Sequence, residues 1–179
     1  AITQAWDAVL RFPGMPLRYY ADWVSCADDE ARHFALLAER LADFGCAYGD
    51  FDAHDGLWEM AEKTAGDCLD RMALVPRVLE ARGLDVTPAM IDRLTRLGDP
   101  AAVAILEVIL REEIAHVAAG TRWFHHLCAQ RGLVPIFAGQ TGVRSLESSP
   151  LSEGGVYGCV CGQGALPILF EAQDSRGGR

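Results

Sequence analysis

The stretch ILREEIAHVAAG, from Ile109 to Gly120, limits what this chain can fold into more than any other. Glu113 and His116 stand three residues apart in an otherwise apolar, helix-forming run, and Glu113 shares its helical face with Leu106, Ile109, Val117 and Gly120. A carboxylate in the middle of an apolar stripe costs several kcal/mol unless it is paired or coordinated. His116, one turn on, points the same way. The feature recurs in DDEARHFALLAERL, where Glu30 and His33 share a face with Trp23, Cys26, Ala27, Phe34 and Leu37. The fold must therefore bring two Glu-x-x-His helices to one interior.

Periodicity and punctuation divide the chain into helices. Residues 1 to about 12 read as the end of an amphipathic helix, with Ile2, Ala5, Trp6, Val9 and Leu10 on one side. Phe12 to Pro16 is a breaker, with Pro16 suited to a first helical turn. A second helix is expected from Leu17 to Phe44, with Gly45 closing it. After a loop ending at Asp55, a plausible N-cap, a third runs from Leu57 to Arg82 and stops at Gly83. Its face Leu69, Met72, Ala73, Pro76 leads to Glu80, and Pro76 is expected to kink it. Thr87-Pro88 starts a short extra helix ending near Gly98. Asp99-Pro100 opens a last long helix reaching Arg131 and stopping at Gly132. Residues 136–179, rich in Gly and Ser, read as an irregular or disordered tail.

Composition narrows the class. At 179 residues, half of them hydrophobic, the chain suffices for one real core. No apolar run approaches the roughly 20 residues that span a bilayer, and no signal peptide is legible, so a cytoplasmic protein without a membrane role is expected. Six scattered cysteines, three within helical patterns, point to buried reduced thiols rather than a disulfide framework. The net charge of −9 disfavours a phosphate backbone as partner, tRNA included.

The inward acidic and imidazole groups fall in the order Glu30 and His33, then Glu80, then Glu113 and His116. Ferritin-like di-iron carboxylate bundles take a Glu from each of two helices and Glu-x-x-His from each of the other two. Two ions a few ångströms apart need bridging carboxylates, and each takes one imidazole. A lone Glu-x-x-His on a helix surface is commonly a solvated pair. Two copies on apolar faces with Glu80 between them favour a metal site. Glu112 also has apolar neighbours, and only the spacing to His116 prefers Glu113. Glu59 and Glu62 suit a helix N-terminus. His54 falls in a loop, and His125 and His126 near a helix C-terminus are expected as solvated cations. Trp23, Trp58, Trp123 and Phe124 are expected in the core, and nothing separates Tyr19 and Tyr20 from packing residues.

Three stretches carry a family resemblance: DDEARHFALLAERL, GLWEMAEKTAGDCLDRMALVPRVLEARGLDVTP and ILREEIAHVAAGTRWFHHLCAQRGL. Over residues 1–135 the chain resembles uncharacterised bacterial ferritin-like proteins, similar in turn to MiaE, a di-iron hydroxylase acting on a prenylated adenosine in tRNA. The resemblance implies a ferritin-like four-helix bundle, which with the short extra helix read from Thr87-Pro88 gives an all-α fold. It also implies two iron ions, with manganese as the alternative, held by Glu30, His33, Glu80, Glu113 and His116. It implies a further glutamate just before AITQAWDAVLRF, which a chain starting at Ala1 does not contain. Asp7, the one acidic residue on that helix, is not expected to replace it. A truncated or frame-shifted reading frame is the expectation at both ends.

Three functions follow from these residues. The first is an oxygen-activating di-iron oxidoreductase that uses dioxygen on a small-molecule substrate. The second is a metal- or peroxide-handling protein, and the third a metal-free helical interaction domain whose Glu and His groups satisfy one another.

Overall fold

The computed structural model describes residues 1–135, and over them the protein is all-helical. The expected tail at 136–179 lies outside the described residues. The elements are α1 (Ile2–Arg11), α2 (Leu17–Asp43), α3 (Gly56–Lys63), α4 (Cys68–Leu74), a π-helical segment (Val75–Glu80), α5 (Ala81–Leu97) and α6 (Pro100–Gln130). No described helix is long and apolar enough to cross a membrane.

Helix α6, 31 residues long, is the spine: α2, α4, the π segment and α5 all pack on it. Polar pairs fix its direction against α2. Arg122 Nη1 and Trp123 Nε1 donate to Asp22 Oδ2 at 2.5 and 2.9 Å, and Arg40 pairs with Asp99 at 2.8 Å. Low numbers on one helix meet high numbers on the other, so the two run antiparallel. Helix α1 packs on α2, with the Tyr19 and Tyr20 hydroxyls donating to the carbonyls of Ala8 and Phe12. One core joins Ala5, Ala8, Tyr19, Trp23, Cys26, Leu69, Met72, Trp123, Phe124 and Leu127. Beyond His116 toward its N-terminus, α6 has no fully buried residue.

Several boundaries follow the sequence signals. Helix α2 ends at Gly45, at φ 74°, with Gly45 N–H donating to Ala42 and Cys46 N–H to Leu41, a Schellman closure. Asp99 caps α6 through Ala102 N–H at 2.9 Å. Pro16 stands just before α2 rather than within its first turn.

Other expectations need correction. The helix expected over Leu57–Arg82 is interrupted at 64–67, because Asp67 accepts from Leu69 N–H at 2.7 Å and starts α4 as its own N-cap. Asp55 stands at the N-cap of α3 without a capping bond; His54 Nδ1 accepts from Gly56 N–H instead. Gly83 does not end a helix and Thr87-Pro88 does not start one. Both lie inside α5, where the Thr87 hydroxyl donates to the Gly83 carbonyl at 2.7 Å. Packing α5 along α6 outweighs the roughly 3 kcal/mol that an interior proline costs. At Pro76 the chain adopts a π turn, since a residue with no N–H cannot continue the α ladder.

Burial also departs from the expected faces. On α1 the buried residues are Gln4, Ala5 and Ala8, while Trp6 and Leu10 are exposed. Phe34 and Leu37 on α2, and Trp58 on α3, are exposed too, whereas Trp23, Trp123 and Phe124 are in the core. Four described cysteines are free thiols, and Cys26, Cys68 and Cys128 are buried, as expected.

Candidate metal centre

The two Glu-x-x-His segments face each other midway along α2 and α6. The i, i+3 spacing projects Glu30 with His33, and Glu113 with His116, into the space between the helices. His116 Nδ1 lies 3.3 Å from Glu113 Oε2 and 3.5 Å from Glu30 Oε1. His33 Nδ1 lies 3.8 Å from Glu30 Oε2 and 3.9 Å from Glu113 Oε1. The two rings are 6.0 Å apart, centroid to centroid. Glu30, Glu113 and His116 each offer one ligand atom within 4.8 Å of the others, an arrangement that could hold a cation.

Glu80 enters from the third side, at the end of the π segment. Part of the residue is accessible, but Oε2 of its carboxylate is buried. Burial pushes its pKa up to about 8; the charges of Glu113 and Glu30 add to this, and His116 and the Ala1 α-amino group oppose it. At neutral pH the metal-free carboxyl is therefore largely protonated. Burial also acts against charge on His116, yet Cys26, Glu113 and Glu30 outweigh it and raise its pKa. For Glu30, burial is overcome by its close polar contacts with His116 and Glu113 and by the histidine charges, which lower its pKa.

Three inward atoms are buried without a hydrogen-bond partner: His33 Nδ1, Glu80 Oε2 and Glu113 Oε2. The contact between Glu113 Oε2 and His116 is at ion-pair distance but lacks hydrogen-bond alignment. An orphaned buried polar atom costs about 1–3 kcal/mol, and although others occur among the described residues, these three belong to neighbouring side chains. Three of them, all potential ligands and all from residues singled out by spacing, fit a cation better than a self-satisfied polar core.

The outward nitrogens strengthen that fit. His33 Nε2 lies 2.8 Å from Glu112 Oε2, and His116 Nε2 lies 3.1 Å from Asp29 Oδ2. Each imidazole is thus held by a carboxylate of the opposite helix, which orients the ring with Nδ1 facing inward. Arg32 ties the two carboxylates together, donating to Glu112 at 3.0 and 3.1 Å and pairing with Asp29. His33 and Arg32 hold the Glu112 carboxyl below the usual range. The open choice between Glu112 and Glu113 is resolved by role: Glu113 faces inward, Glu112 outward onto His33. Sequence reasoning missed Asp29, Arg32 and Cys26. The signal for Asp29 was present, since an acid precedes the ligand-spaced Glu in both Asp29-Glu30 and Glu112-Glu113.

The remaining candidates lie elsewhere. Asp7 bonds Arg71 and Arg11 at 2.6 Å each, not the cluster. His125 and His126 are half-buried rather than solvated: their rings pack on Phe124 and Trp123, and burial with the Arg77 charge lowers the His125 pKa. Tyr19 is wholly buried, a packing residue whose pKa burial pushes up. Glu59 is exposed beside Lys63.

Comparison with known proteins gives two matches. Residues 1–152 match the family described as "Protein of unknown function (DUF455)". An uncharacterized protein of Haemophilus influenzae is 50% identical over 140 residues, which cover 74% of this chain and 49% of that protein. The chain thus spans about half the length of the curated relative it matches. No solved structure matches it.

Proposed function

The chain belongs to the DUF455 family, and we propose that it is a ferritin-like dinuclear-metal carboxylate protein that activates dioxygen to oxidise a small organic substrate. The observation that carries this reading is the set of three unpartnered buried donors, His33 Nδ1, Glu80 Oε2 and Glu113 Oε2. Of these, Glu113 belongs to the ligand-spaced group with Glu30 and His116, and the other two neighbour it. Helices α1, α2, α4 with its π extension, and α6 are the four that would form the bundle.

In this reading Glu30, His33, Glu80, Glu113 and His116 hold two iron ions, with manganese as the alternative. The imidazoles bind through Nδ1, and Glu112 and Asp29 keep them oriented from behind. Bound in the ferrous state, such a pair would supply two electrons to dioxygen, with an external electron donor needed to return it to that state. Glu80 gives up its carboxyl proton when a cation arrives, because the charge that burial opposes is then neutralised. The Asp29–Arg32–Glu112 bridge lies over the outer edges of both imidazoles and shields them from water.

A second reading is a metal-free helical interaction domain, favoured by the ion-pair distances from His116 Nδ1 to Glu113 and Glu30. It leaves His33 Nδ1 and Glu80 Oε2 with no role. Metal analysis of protein reconstituted under reducing, iron-replete conditions separates the two. Two ions per chain, lost in Glu113→Ala, support the centre; none supports the interaction domain. Dioxygen consumption that needs no organic substrate would instead indicate a metal- or peroxide-handling protein.

A further inference from the structure

Gly120 is buried on α6, one turn beyond His116. A Cβ at this position would lie 2.3 Å from Pro76 Cγ and 2.4 Å from Pro76 Cβ. Neither a proline ring nor a helix backbone yields cheaply, so α6 and the π segment touch here only because position 120 carries no side chain. Pro76 stands at the start of that segment and Glu80 ends it.

The two elements run antiparallel. Asp67 pairs with Arg131 at 2.7 Å, and the Arg77 guanidinium lies 3.8 Å from the Phe124 ring centroid. One turn along each helix from the Gly120–Pro76 contact brings His116 level with Glu80. Glu80 Oε2 has no hydrogen-bond partner, so the path of the backbone carrying it, rather than a polar tether, sets where that oxygen stands.

We propose, building on the dinuclear-metal reading, that Gly120 and Pro76 are positioning residues for the centre: their close contact sets how deeply Glu80 reaches toward Glu113 and His116. A methyl at position 120 must push the π segment from 2.3 Å to the 3.4 Å or more of an ordinary contact. That displacement far exceeds the roughly 0.2 Å tolerance of a metal–ligand bond.

Cobalt(II) titration, followed by its visible absorption, tests this on the full chain. Gly120→Ala is expected to weaken cobalt binding by about tenfold or more, as Glu80→Gln does. The double variant should bind no more weakly than Glu80→Gln alone, because both changes remove the same contact. Alanine is the better helix former, so propensity alone predicts no loss. Pro76→Ala, which removes the ring and restores an N–H, should reproduce the loss and carries the same test if Gly120→Ala fails to fold. Unchanged binding in these variants, or fully additive losses in the double variant, overturns the positioning role while leaving the metal reading intact. A wild-type chain that binds no cobalt overturns both.

Discussion

Replacing Glu80 by glutamine separates stability from function. In the metal-free protein, burial raises the Glu80 pKa from the ordinary 4.5 to about 8. The folded state then binds more protons than the unfolded state between those values, so the contribution of Glu80 to stability is fully present below pH 4.5 and is lost as pH rises through 8. At about 1.36 kcal/mol per pKa unit the full loss is roughly 5 kcal/mol. Water admitted to the metal-free site reduces it, and about 2–5 kcal/mol is the expected range. Glutamine keeps the shape and removes the charge. Urea unfolding of metal-stripped wild type and Glu80→Gln at pH 5, 7 and 9 reads the difference. The variant should be the more stable of the two at pH 9, by an amount that shrinks toward pH 5, while binding metal more weakly. A variant less stable than wild type at pH 9, or a pH-independent difference, refutes the reasoning.

Three further outcomes follow from the same geometry. Asp29→Ala and Glu112→Ala should each lower metal affinity about 10–100-fold without changing the number of ions bound, measured by competition against a chelator. Asp7→Ala leaves Arg71, 1% exposed, without its carboxylate and should cost about 3 kcal/mol in denaturant unfolding. Because Arg71 and Arg11 hold Asp7 below its usual pKa despite burial, that contribution is present above the ordinary 3.8 and is lost as pH falls through the lower folded value. Asp67→Ala removes the α4 cap and should cost about 1 kcal/mol, read as a shift in the urea midpoint.

Much of the candidate site was legible because it rests on one local rule. Glu-x-x-His spacing on an apolar face projects two side chains inward whatever the loops do, and Glu30, His33, Glu113 and His116 meet as that rule requires. Glu80 was reachable through the apolar face above it, although the turn that delivers it is π rather than a kinked α. The misses came where tertiary packing competes with punctuation. Gly83 and Pro88 look like a stop and a start, yet α5 continues through both because α6 offers it a face. Gly66-Asp67 looked like helix interior, and the aspartate cap won. Asp29 and Glu112 bind across helices, and their roles depend on the antiparallel register of α2 and α6, which no local pattern encodes. Phe34 and Leu37 group with His33 by spacing, but α6 packs on the His33 and Arg40 side of α2 and leaves them exposed.

Metal content per chain is the most direct test of the central claim. Protein reconstituted anaerobically with ferrous iron, freed of loose metal and measured by mass spectrometry of the elements, is expected to hold two ions per chain. Substituting Glu113 by alanine should leave at most one. A wild-type chain with no bound iron, and none on repeating with manganese, would contradict the account. The five converging side chains would then be a polar core with unexplained vacancies in its hydrogen bonding.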